Sequence, residues 1–235
     1  MKKTAVLIAG LALAGVAFAD FVKTVPLGEG GTQLGAGATN TTKDNLDAEN
    51  GSLWGVSNAN DYMGLRYWTF SDIAGAGETI QTGTYTLSLR VGNGNVFAFS
   101  GLNTPVDGDT SAGVAAGFFE TAPVASANAA TARNNAQTAK NNMYLEFNGV
   151  SGVTYTAPTE AAPADLTWTT WTFTWEVAEG SSVIGKDLYF GVYNKTGGNG
   201  SAFFDDSTLS YAIPEPATLG LLAAFGGGIL FIRRL

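Results

Sequence analysis

The 235-residue sequence predicts an all-β fold, a single antiparallel β-sandwich of jelly-roll type, flanked by an N-terminal signal helix and a C-terminal transmembrane helix. Three observations predict it. Apolar and polar residues alternate at period two wherever the pattern is clear, which is the period of a half-buried strand. Turn signals built on 31 glycines separate several short apolar runs with no amphipathic helix between them, the pattern of a sandwich. Finally, both extremes of the chain carry apolar runs next to basic residues, which suit handling by a membrane better than burial in a water-soluble core.

Taken in chain order, Lys2 and Lys3 precede an apolar stretch from Ala5 to Val16 and then Ala17-Phe18-Ala19, the small-x-small pattern that signal peptidase cuts. Cleavage after Ala19 makes residues 1–19 a signal peptide and opens an extracytoplasmic domain, 20–212, at Asp20. Gly28 to Asn50 is polar and glycine-rich, with room for one early edge strand. Strands are expected at Leu65 to Phe70 and at Thr84 to Val91. In the second of these, Tyr85, Leu87, Leu89 and Val91 share one face and Thr84, Thr86, Ser88 and Arg90 the other. Gly92-Asn93-Gly94-Asn95 reads as a hairpin turn into Val96 to Phe99, bringing Val91 beside Val96, because Asn and Gly tolerate positive φ. Val114 to Glu120 is a further strand.

Ala125 to Asn142, rich in Ala, Asn, Thr and Gln, has little to bury and reads as an exposed loop with at most one helical turn. Met143 to Phe147 reads as a strand, and Thr156 to Asp165, with Pro158 and Pro163, as a loop. Thr170 to Val177 is the clearest strand of all, with Trp171, Phe173, Trp175 and Val177 inward and the threonines and Glu176 outward. Asp187 to Tyr193 and Phe203 to Tyr211 are the last strands, joined through a loop at Gly197-Gly198-Asn199-Gly200.

Composition narrows the chemistry. The chain has no cysteine and no histidine, so it has no disulfide, no ordinary zinc site, no thiol nucleophile and no Ser-His-Asp triad. The formal charge of −8 includes the cations Lys2, Lys3, Arg233 and Arg234; without them the region between is at −12. Such a balance excludes nucleic acid as a partner and suits solubility or divalent cations.

After the last strand the chain reads Ile213-Pro214-Glu215-Pro216-Ala217-Thr218, then an apolar run from Leu219 to Ile232 closed by Arg233, Arg234 and Leu235. The prolines end any strand or helix. The run that follows shows no polar face, and the terminal arginines place its end on the cytoplasmic side of a membrane. The three-part pattern over 213–235 resembles the PEP-CTERM sorting signal of Gram-negative bacteria. That resemblance implies recognition of Pro214, Glu215 and Pro216 by an exosortase, a membrane-embedded cysteine protease or transpeptidase. The tail would be removed, and an inner-membrane-anchored precursor passed to the cell surface or the extracellular matrix. The segments Gly83 to Asn93 and Phe203 to Leu209 are similar to the jelly-roll domains common in PEP-CTERM proteins and to galactose-binding-like carbohydrate-binding modules, although Ser207 stands where that pattern often has a hydrophobic residue.

No catalytic residue is assigned. A glycoside hydrolase would need two carboxylates roughly 5 to 9.5 Å apart, and Glu146 and Glu176 are the strand-placed glutamates from which it could be built. For calcium, the one cofactor the composition leaves open, the candidate ligands are Asp205 with Asp206, and Asp107 with Asp109 in Asp107-Gly108-Asp109. Asp205 shares the strand parity of Phe203, Leu209 and Tyr211 and is expected to face the core or its rim, where loop N–H groups would satisfy it. Trp54, Trp68, Trp168, Trp171 and Trp175, with Tyr62 and Tyr67, raise a sugar-stacking reading, and Trp54 and Trp168 are its candidates because they lie in less regular surroundings. The expected function is that of a non-enzymatic, structural or matrix-associated envelope protein, with a carbohydrate-binding module for exopolysaccharide as the alternative.

Overall fold

A computed structural model describes residues 20–27, 30–36, 38–40, 42–43, 46–47, 53–57, 63–93, 113–195, 201–205 and 207–213. The signal peptide with Ala17 and Ala19, the Pro214-Glu215-Pro216 motif, Arg233, Arg234, Asp107, Asp109, Asp206 and Val96 to Phe99 lie outside the described residues. Among the described residues no helix is long and apolar enough to cross a membrane.

Along the chain run β1 (Phe21–Val25), β2 (Thr32–Gly35), β3 (Ala38–Asn40), β4 (Thr42–Lys43), β5 (Leu46–Asp47), β6 (Leu53–Ser57), β7 (Met63–Thr69) and the short helix α1 (Phe70–Ala74). There follow β8 (Gly83–Asn93), β9 (Gly113–Phe119), helix α2 (Ala129–Met143) with a π-helical turn at Tyr144–Asn148, β10 (Val153–Thr156), β11 (Thr167–Val177), β12 (Tyr189–Lys195), β13 (Ser201–Phe204) and β14 (Ser207–Ala212). All pairings are antiparallel. The larger sheet is built around β8: β11 runs along one of its edges from Gly83↔Val177 to Asn93↔Thr167, so β14 and β13 share the other. The smaller sheet has the order β2-β7-β12-β9.

Strand alternation makes this sandwich. Tyr85, Leu87, Leu89 and Val91 of β8 and Trp171, Phe173, Trp175 and Val177 of β11 are buried against Trp68, Phe118, Phe190 and Val192 of the facing sheet. Phe118 is the hub, with ring centroids 4.7 Å from Phe147, 5.1 Å from Phe190 and 5.2 Å from Trp175. Such contacts add about 0.5–1.5 kcal/mol per aromatic pair beyond the area they bury.

Several segments differ from the sequence expectation. Ala125 to Asn142 is not an exposed loop: from Ala129 it is helical, capped by Asn128, whose side chain accepts the Thr131 N–H at 3.0 Å. Ala132, Ala136, Ala139 and Met143 fall on one face and pack onto Leu34, Leu65, Ala115, Phe119 and Tyr193, forming a third layer over the outer face of the smaller sheet. The stripe is made of methyl groups, so a count of hydrophobic bulk misses it, while alanine is the strongest helix former. Nor is Met143 to Phe147 a strand; it closes α2 and makes the π-helical turn.

The expected hairpin at Gly92 is replaced by continued sheet. Val91 pairs with Thr169 of β11 on one side and Phe204 of β13 on the other. The last strand is likewise divided. Phe204 pairs with Val91 and Thr208 with Ser88, so four steps on one chain match three on its partner, a β-bulge.

Candidate functional site

The bulge decides what Asp205 does. It reverses strand parity, so Phe204 and Leu209 face the core, whereas Asp205 turns to the outer face beside Arg90. The carboxylate is fully buried and lies 3.9 Å from the Arg90 guanidinium, which in turn sits 5.0 Å over the ring of Trp168. Ser207 fills the bulge: its hydroxyl accepts the Arg90 N–H at 3.0 Å and donates to the Asp205 carbonyl at 3.0 Å. A hydrophobic residue there would leave both groups unmet, which explains the serine. Asp205 is buried, as expected of a residue at the core or its rim, but the bulge takes it off the face that it was expected to share with Leu209 and Tyr211. With a guanidinium beside it, the carboxylate is already matched by a cation, which disfavours calcium.

Trp54 is also corrected. It is fully buried, stacked on Phe204 at 5.4 Å and donating to the Gln33 side chain at 3.2 Å, so it offers no face to a sugar. Trp168 keeps partial exposure, but its ring carries Arg90. Glu146 accepts the N–H groups of Glu120 at 2.6 Å and Thr121 at 2.8 Å and so ties off the end of β9. Glu176 stands exposed on the outer face of β11.

The residues that do converge line a groove of about 550 Å³ where β2, β7 and β12 meet α1. Its aromatic wall is Tyr67 and Tyr189, edge to face at 5.7 Å, with Tyr189 stacked on Phe119 at 5.7 Å behind it. They lie on the outer face of the smaller sheet beside the residues that α2 covers, and each is only half-buried. Burial pushes the Tyr67 phenol up, against a hydrogen bond from Thr32 that lowers it, so it is neutral and able to donate. The opposite wall is the Gly30-Gly31 backbone, both residues at positive φ, held down by Arg66, which donates to the carbonyls of Gly30 at 2.9 Å and Leu27 at 2.6 Å. A Cβ on Gly31 would stand 2.6 Å from Trp68 Nε1, so only glycine fits over the indole.

Two polar groups complete the groove. Trp68 is 6% exposed and its Nε1–H is buried with no hydrogen-bond partner, a state that costs about 1–3 kcal/mol for a neutral donor. Asp72 is exposed and is the one charged residue among the described lining. Its Oδ2 accepts the Thr69 N–H at 3.2 Å, while Thr69 Oγ1 accepts the Asp72 N–H at 3.2 Å, a capping box that orients the carboxylate. Asp187 fixes α1 from the side by accepting from Ser71 N–H at 3.2 Å and Ser71 Oγ at 3.1 Å. The size lies within the 300–1,000 Å³ of small-ligand sites, and the lining pairs apolar faces with a few fixed polar groups, as such sites do.

Strand alternation alone could have pointed here, since consecutive Tyr67 and Trp68 must lie on opposite faces and cannot both fill one core. The contributions of Gly31, Asp72 and Tyr189 carry no such local signal.

No family model matches the chain, and no curated protein matches it. Among solved structures it is similar to a Stig cyclase, Fisc, from Fischerella sp. TAU in complex with (3Z)-3-(1-methyl-2-pyrrolidinylidene)-3H-indole, at 13% identity over 86% of this chain and 94% of that chain, with a TM-score of 0.43. It is also similar to an apo form cyclase from Fischerella sp., at 12% identity over 88% of this chain and 93% of that chain, with a TM-score of 0.39. Likeness at this level carries no chemistry to the present chain.

Proposed function

We propose that the chain is the precursor of an exported envelope protein: a signal peptide, a non-enzymatic β-sandwich of jelly-roll type, and a PEP-CTERM tail with its transmembrane helix, processed by signal peptidase and an exosortase on the way to the cell surface or matrix. The reading is carried by the three-part tail motif over 213–235. The sandwich is closed by β1 on β14, Phe21 opposite Tyr211, and the Ile213 N–H donates to the Asp20 carboxylate at 2.8 Å. The two paired strands β1 and β14 thus lie next in sequence to the proposed Ala17-Phe18-Ala19 and Pro214-Glu215-Pro216 signals. A non-enzymatic role is supported by the use of the Glu146 carboxylate in backbone bonds and the outward position of Glu176. The test is the intact mass of protein recovered from the native envelope and medium, beside a variant with Pro214, Glu215 and Pro216 all changed to alanine. Loss of both termini from the wild type, with the tail kept in the variant, is expected; a tail retained in both would make this an anchored protein and overturn the sorting reading.

A second reading, a carbohydrate-binding module for exopolysaccharide, is favoured by the aromatic groove. The candidate stacking residues of the sequence, Trp54 and Trp168, play no part in it.

A further inference from the structure

We propose that the groove between Tyr67, Tyr189 and the Gly30-Gly31 backbone is a binding site for an uncharged pyranose unit of a surface polysaccharide; this rests on the carbohydrate-binding reading and locates it. The ligand class follows from the lining. A half-buried pair of tyrosines presents apolar ring surface and neutral hydroxyls together, which suits a pyranose that has apolar C–H patches and a belt of hydroxyls. Asp72, exposed and oriented by its capping box, accepts from a sugar hydroxyl through Oδ1, since Oδ2 already holds the Thr69 N–H. The Gly30-Gly31 backbone lies directly on the Trp68 indole, which leaves the Nε1–H buried and makes the ring the support beneath that wall.

Charge decides between sugar types. The only charged residue among the described lining is a carboxylate, and Arg66, which holds the Gly30-Gly31 wall, donates to two backbone carbonyls. A uronic acid or sulfated unit would meet like charge with no cation to offset it.

The experiment measures binding of the full-length chain in detergent to a neutral glucan, a neutral galactan and a polyuronate, by affinity electrophoresis and calorimetry. Tyr189→Ala and Asp72→Asn are compared, with thermal melting as the fold control. Expected are retention on a neutral polymer but not the polyuronate, a loss of affinity of at least tenfold in both variants, and tryptophan fluorescence that responds to the neutral polymer in the wild type. Asp72 is an exposed helix residue, so its variant reports on binding even where Tyr189→Ala fails to fold. Wild-type affinity in Asp72→Asn and in folded Tyr189→Ala would overturn the groove while leaving the carbohydrate reading intact. Preference for the polyuronate would overturn the charge argument and with it the proposed ligand. No binding by the wild type to any polymer would overturn both groove and carbohydrate reading, and would leave the sorting reading to its own mass measurement.

Discussion

Asp205 and Ser207 show how much one inserted residue can redirect. The bulge between β13 and β14 turns a carboxylate from the core toward Arg90 and makes the serine hydroxyl a replacement for a missing ladder bond. Ser207→Ala removes the partner of a backbone N–H and of a carbonyl, and should lower stability by about 2 kcal/mol. Asp205→Ala leaves Arg90 without its carboxylate and should cost about 3 kcal/mol, at the low end for a buried pair because Arg90 keeps some contact with water. Urea denaturation checks both; a smaller effect from Asp205→Ala than from Ser207→Ala would show that the ion pair contributes little. The parity of Asp205 was not legible in the sequence, because a bulge is created by the pairing of two strands distant in the chain.

Helix α2 belongs to the scale of elements. Its sequence is weakly amphipathic and rich in Asn and Thr, and what makes it a structural layer is the fit of Ala132, Ala136 and Ala139 against the smaller sheet. Ala136 is fully buried, so Ala136→Leu should overpack the interface and cost about 1–3 kcal/mol. Asn128→Ala should cost about 1 kcal/mol by removing the N-cap. Thermal melts distinguish these results from an exposed helix, for which Ala136→Leu would be neutral or mildly stabilising. By contrast β8 and β11 were readable directly, since each alternates over eight or more residues and each buries the face that its alternation indicates.

For the whole molecule, the two ends of the fold meet on one edge. Phe21 packs 5.5 Å from Tyr211 and 6.1 Å from Phe70, and Val25 is fully buried. Deleting residues 20–25 removes one buried and one partly buried side chain and should lower stability by about 2–5 kcal/mol, measured as a fall in the urea midpoint. The titration behaviour is also global. With no histidine in the sequence, stability should be flat from about pH 6 to 9. Burial pushes the phenols of Tyr85, Tyr155, Tyr67 and Tyr211 above their ordinary value of about 10. The unfolded chain therefore loses these protons first, so stability is fully present below about pH 10 and falls as pH rises toward the folded values, by up to about 1.4 kcal/mol per pH unit for each group. Urea titrations at successive pH values should show the slope reduced in Tyr85→Phe; an unchanged slope would assign the alkaline loss to other groups.

The sequence by itself determined the sandwich, through period-two alternation that needs only neighbouring residues to be read. Tertiary structure alone decided that an alanine-rich stretch becomes a covering helix, that Asp205 turns outward, and that Tyr67, Tyr189, Trp68, Asp72 and Gly31 form one groove. The reason is physical: alternation records which side of a strand meets water, whereas a groove depends on which distant strands become neighbours and how close their backbones come. At Gly31 that distance is so short that the absence of a side chain, which carries no hydrophobic signal, is what shapes the site.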